Sequence, residues 1–122
     1  MQKVFIIEDD REMAECIALA VQQVKDVETE IFGNVIAAVQ ALDRQLPQLI
    51  FLDVLLDGPD GFTLLNELNS YSDTAKIPIV IASSLPLSEQ DLRPYGVVKV
   101  LDKETMLPEQ ISAITCEVLA HA

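Results

Sequence analysis

This sequence predicts an α/β fold, a five-stranded parallel sheet doubly wound with helices on both faces. Three observations predict it. Short runs rich in Val, Ile and Phe alternate five times with amphipathic runs. Several of the short runs are apolar on both sides, the pattern of strands covered by helices above and below. No repeat, low-complexity stretch or Gly/Ser linker breaks the alternation, so residues 1–122 are expected to form a single domain.

The elements follow in chain order. Lys3–Ile7 is an apolar first strand. Met13, Cys16, Ile17, Ala20, Val21 and Val24 recur three and four apart, which is one face of a helix. Cys16 is expected to pack on that face. Glu28–Phe32 alternates as a weaker strand and stops at Gly33. Asn34 is placed to cap a second helix that buries Val35, Ile36, Val39, Leu42 and Leu46 and ends at Pro47. Leu49–Asp53 is a third strand, apolar until its last residue. Asp57-Gly58-Pro59-Asp60-Gly61 is turn-rich. Phe62, Leu65 and Leu68 mark a third helix, and Ile77–Ser83 a fourth strand with Pro78 near its start. Between Pro86 and Pro94 only a short helix fits, over Ser88–Arg93. Val97–Leu101 is the fifth strand. Leu107, Ile111, Ile114 and Val118 mark the last helix, with Pro108 in its first turn and Cys116 near its apolar stripe.

In such sheets the functional crevice lies at the carboxyl ends of the strands. Those ends are polar here. The first strand runs into Glu8-Asp9-Asp10, the third into Asp53, the fourth into Ser83-Ser84 and the fifth into Asp102-Lys103. Asp10 directly precedes a helix and reads as its cap. If the first and third strands are neighbours, Glu8, Asp9 and Asp53 converge. Like charges so close require a proton or a cation among them. A hard divalent ion with oxygen ligands answers this, Mg²⁺ being the usual choice and Mn²⁺ the substitute.

Composition removes other classes. Eight Lys and Arg face twenty Asp and Glu, a formal charge of −12. Direct binding to nucleic acid or to an anionic membrane is therefore disfavoured, and cations or basic protein surfaces suit the chain better. No apolar run reaches the roughly 20 residues of a membrane span. No signal peptide is visible, and two distant cysteines without metal or redox spacing fit a reducing, cytoplasmic setting. His121, in the terminal tail, is a poor candidate for a base or ligand.

The ordered motifs resemble the receiver domain of two-component response regulators. They are Val4-Phe5-Ile6-Ile7-Glu8-Asp9-Asp10, Leu49-Ile50-Phe51-Leu52-Asp53-Val54 with a downstream Asp60-Gly61, Ile77-Pro78-Ile79-Val80-Ile81-Ala82-Ser83, and Asp102-Lys103. The resemblance runs from Lys3 to about Leu119 and implies the flavodoxin-like strand order 2-1-3-4-5. A known example of that order is itself a member of this family, so the order is inherited from the resemblance rather than deduced. The resemblance implies that Asp53 is the phospho-acceptor and that Glu8 and Asp9 bind Mg²⁺ with Asp53 and the carbonyl of Leu55. It also implies that Ser83 is the switch hydroxyl and Lys103 the phosphoryl-pairing lysine. The implied partners are a sensor histidine kinase or phosphotransfer protein, and a downstream protein target or output domain. The implied role is a switch that catalyses only its own phosphorylation and dephosphorylation.

Four departures from the family pattern stand out. Glu104 follows Lys103 where proline is usual. Val100 stands at the position of an aromatic switch residue, with Tyr95 nearby as a loop or packing residue. The stretch from Ser83 to Lys103 is short. Asp57 replaces a frequent proline and reads as a solvated loop acid. Leu55 and Leu85 flank the expected phosphoryl position, where apolar side chains would hinder attacking water.

Three other functions compete with this one. A haloacid-dehalogenase-type hydrolase would want an acid where Leu55 stands. A flavodoxin-like cofactor carrier would want a phosphate-cradling loop where Glu8-Asp9-Asp10 stands. A receiver-like binding module that works without phosphorylation is left open by the residues.

Overall fold

The computed structural model describes residues 1–55 and 61–120. Five parallel strands form one sheet in the order β2-β1-β3-β4-β5. They are β1 (Gln2–Ile7), β2 (Val27–Phe32), β3 (Leu49–Leu52), β4 (Ile79–Ser83) and β5 (Val97–Asp102). The helices are α1 (Arg11–Val21), α2 (Val35–Leu42), α3 (Gly61–Asn69), α4 (Glu89–Leu92) and α5 (Pro108–Ala120). A 3-10 turn, Arg93–Tyr95, follows α4 and is closed by Gly96 at φ 87°.

Strand alternation sorts the core into two halves. Phe5, Ile7, Ile50, Leu52, Ile79 and Ile81 face α2 and α3. Val4, Ile6, Leu49, Phe51, Val80 and Ala82 face α1 and α5. Every residue of β3 and β4 is buried, which is why these runs carry no polar residue before their ends. β2 lies at an edge; it is buried only at Val27 and Phe32 and leaves Ile31 exposed, so the expected alternation does not carry through to its burial. Its Phe32 meets Phe5 edge to face, ring centres 4.8 Å apart.

The helix faces differ from expectation in detail. Cys16 is exposed, and Ala14, Ile17, Ala18, Ala20 and Val21 form the buried stripe of α1. Successive helix residues point roughly 100° apart, so a stripe centred on Ile17, Ala14, Ala18 and Val21 leaves Cys16 outside it. Cys116 is likewise exposed; Ile111, Thr115 and Leu119 are the buried residues of α5. In α2, Ala38 and Ala41 take the place expected for Ile36, which is 59% exposed. That helix stops at Leu42 rather than at Pro47, and Leu46 lies outside it, exposed. Phe62 and Leu107 are also exposed, and Leu64 is buried instead on α3. β4 starts after Pro78, whose carbonyl accepts the Ile50 N–H at 3.1 Å. The short helix expected between Pro86 and Pro94 is α4, capped by Ser88. Asp57 with the rest of its turn up to Asp60, and His121, lie outside the described residues.

Candidate functional site

The carboxyl ends of β1, β3, β4 and β5 lie side by side because those strands are neighbours in the sheet. Glu8 follows β1 and is 2% exposed, and Asp53 follows β3 and is 4% exposed. The ladder carries Asp53 in: its N–H donates to the Ile7 carbonyl at 3.0 Å. Asp9 is exposed at the rim. Ser83 closes β4, fully buried, and Lys103 follows β5. Asp10 caps α1 as expected, accepting from the Met13 N–H at 3.2 Å.

Lys103 joins the two buried acids. Its ammonium donates to Asp53 Oδ2 at 3.0 Å and pairs with Glu8 Oε1. The second contact is an ion pair without a well-directed hydrogen bond, so Glu8 Oε1 is a buried oxygen with no hydrogen-bond donor aligned on it. Glu8 Oε2 accepts the Asp10 N–H at 3.2 Å. Asp53 Oδ1 accepts the Leu55 N–H at 2.9 Å. Ser83 Oγ accepts the Leu85 N–H at 3.1 Å, a bond that uses a lone pair and leaves the hydroxyl proton to be donated elsewhere. Lys103 is tied back to β4 by its own N–H on the Ser83 carbonyl, 3.1 Å.

Burial pushes the Glu8 carboxyl up to about 7, and the nearby Asp53 charge pushes the same way. Lys103 and the Asp10 N–H pull against that rise. Burial works against the charge on Lys103, but the Glu8 and Asp53 carboxylates outweigh it and hold the ammonium above its usual range. One ammonium thus serves both buried acids.

The donor set fits a divalent cation. One carboxylate oxygen each from Glu8, Asp9 and Asp53 lies within 4.8 Å of the others. This is an all-oxygen, strongly anionic cluster of the kind hard cations take. Leu55 enters the site through its N–H on Asp53; its side chain is 49% exposed.

Two departures have physical consequences. Glu104 supplies an N–H that donates to Asp102 Oδ1 at 2.8 Å, a bond for which proline has no hydrogen. Val100 is half-buried, and its N–H is accepted by Glu89 Oε1 at 2.9 Å, so a carboxylate on α4 contacts β5 at that position. Sequence reasoning misses Glu89, because a lone acid after a Ser cap carries no signal of a long-range partner. It sees Gly61 only as a turn residue and part of a motif.

Comparison with known proteins points the same way. Residues 4–115 match the family model of the response regulator receiver domain. The chain is 30% identical over 115 residues to the DNA-binding dual master transcriptional regulator RpaA of Synechocystis, covering 88% of this chain and 46% of RpaA. It therefore spans less than half the length of that relative. A putative response regulator from Chloroflexus aurantiacus superposes with a TM-score of 0.84 at 25% identity, covering 98% of both chains. The Mn²⁺-bound response regulator Rcp1, at 23% identity, shares the fold with a TM-score of 0.78 over 93% of this chain and 91% of its own. A 2-1-3-4-5 sheet that gathers Glu8, Asp9, Asp53 and Lys103 at one edge, with a family match over nearly its whole length, makes this chain a member of the response regulator receiver domain family.

Proposed function

We propose that residues 1–122 are a single receiver unit that takes a phosphoryl group onto Asp53 from a phosphohistidine donor and thereby changes a protein-binding surface. The observation that carries this reading is the Lys103 ammonium bonded to Asp53 Oδ2 inside a cluster of three carboxylates. Asp53 acts as nucleophile: a new O–P bond forms as the donor P–N bond breaks, and the leaving imidazole keeps the electron pair and takes a proton. Lys103 neutralises charge on one equatorial oxygen of the phosphoryl group, and the Ser83 hydroxyl donates to another. Glu8, Asp9, Asp53 and the Leu55 carbonyl would hold Mg²⁺ or Mn²⁺, which when bound supplies positive charge to a phosphoryl oxygen. Water later hydrolyses the acyl phosphate, and on this reading the chain is a switch that catalyses only its own phosphorylation and dephosphorylation.

The donor is a sensor histidine kinase or a phosphotransfer protein. The output is a downstream protein or an output domain, reached when Ser83 and the residues after it follow the new dianion. RpaA is named as DNA-binding, but the match covers 46% of that protein. A charge of −12 argues that this segment does not itself contact nucleic acid. No described helix is long and apolar enough to cross a membrane. Both cysteines are free, which suits the reducing cytoplasm.

Incubation with Mg²⁺ and acetyl phosphate, followed by intact mass, tests the reading. One phosphoryl adduct that vanishes in Asp53→Ala is expected. A wild-type chain that takes none would return the function to a binding module that works unphosphorylated.

A further inference from the structure

We propose that Gly61 is a positioning residue for phosphoryl transfer: its missing side chain lets α3 start against the backbone of Asp53 and Val54, and so sets where the Asp53 carboxylate stands. The inference rests on the reading of Asp53 as acceptor. A methyl group on Gly61 would lie 2.5 Å from Val54 Cα and 2.8 Å from the Asp53 carbonyl oxygen. Non-bonded carbons rest at roughly 3.5–4.0 Å, so about 1 Å has to be found. Both neighbours are backbone atoms, so no rotamer change relieves the clash.

The shift falls on the strand tip. α3 is fastened by Leu64, Leu65 and Leu68, each at most 3% exposed and in the same core as Val54. β3 is fixed up to Leu52 by its ladders to β1 and β4. Between these anchors stands the Asp53–Val54 peptide, already joined to Gly61 by the Gly61 N–H on the Val54 carbonyl at 3.3 Å. Moving it carries the carboxylate off Lys103 and the Leu55 N–H. A displacement of ~1 Å in a reacting group costs on the order of 100-fold in rate.

The test compares wild type, Gly61→Ala and Leu68→Ala. Leu68→Ala loosens α3 from the core without adding an atom at the contact. Three quantities are read: the phosphorylation rate with acetyl phosphate and Mg²⁺, thermal unfolding, and the amide resonance of Leu55, which reports its bond to Asp53 Oδ1. Gly61→Ala is expected to stay folded, to react ~100-fold more slowly, and to shift the Leu55 amide. Leu68→Ala is expected to lower Tm while keeping the wild-type rate and the Leu55 resonance. The proposal is overturned if Gly61→Ala reacts at the wild-type rate, if it unfolds, or if both variants slow in proportion to lost stability. If wild type takes no phosphoryl group, the acceptor reading fails by itself, and the Leu55 resonance still decides the role of Gly61.

Discussion

The β1–β3 flank of the site and the α4–β5 flank are built on different principles. On the first, Ile7, Glu8, Leu52 and Asp53 are all at most 4% exposed; the Asp53 backbone is held by a ladder bond, and its carboxylate by a backbone N–H and an ammonium. On the second, α4 is one turn long with no buried residue, and β5 is an edge strand with an irregular register opposite Ile79 and Val80. Segments with few buried apolar contacts open at lower cost than core strands. On the proposed function, the chemistry sits on the rigid flank and the surface that changes on the loose one, with Ser83 and Lys103 between them.

Lys103→Ala gives the largest expected effect, because Lys103 is the bridge between the flanks. It removes the ammonium from two buried carboxylates, which costs about 3 kcal/mol in urea unfolding at pH 8 without metal. At pH 5 the loss shrinks, since Glu8 then takes a proton. Phosphorylation slows by roughly 10²–10³-fold, the loss typical for one preorganised charge-stabilising donor. An equal stability loss at both pH values would show that Glu8 is not part of the cluster's balance.

Glu8→Gln sharpens the account of the rigid flank. The Glu8 carboxyl stands at about 7 in the folded chain against an ordinary 4.5. A raised folded-state value means that the folded chain binds the proton more tightly than the unfolded chain. That contribution is whole below about 4.5 and is lost as the pH rises through about 7. The metal-free wild type should lose up to ~3 kcal/mol across this window, and Glu8→Gln should flatten the profile. Parallel profiles for the two proteins would remove burial of the Glu8 charge as a cost to folding.

These two residues also show what was legible in sequence. Three of the five strand runs end abruptly in acids, at Glu8, Asp53 and Asp102, and those endings located Glu8, Asp9, Asp53 and Lys103. What the sequence could not show is that Glu8 is buried while Asp9 is exposed, because desolvation depends on what packs above the strand tip. Helix faces were harder for a different reason. Val35 to Leu42 is apolar at seven of its eight positions, so periodicity cannot choose between Ile36 and Ala38. Packing buried the alanine and left Ile36 in solvent.

Glu89→Ala tests the loose flank. It leaves the Val100 N–H without its acceptor at a cost of about 1–3 kcal/mol. Amide exchange at Val100 should quicken in Glu89→Ala and stay slow in Glu89→Gln, whose amide oxygen can still accept. Phosphorylation by acetyl phosphate should keep its rate in both. A matching fall in that rate would mean that α4 props the chemistry directly, and the division between flanks would fail.

Leu55→Asn should have the smallest effect, confined to the lifetime of the phosphorylated form. Leu55 and Leu85 are 49% and 37% exposed, each two residues beyond a group assigned to the phosphoryl contacts. An apolar side chain there offers a water molecule no hydrogen bond to hold it in line with phosphorus. Asparagine offers both a donor and an acceptor at the same place without adding charge. Loss of the phosphoryl group, followed by intact mass after removal of the donor, should therefore be several-fold faster than in wild type. Since Leu55 fixes Asp53 through its backbone N–H and not its side chain, the forward rate should hold steady. Equal lifetimes would mean that water reaches the phosphoryl group from a side these leucines do not cover.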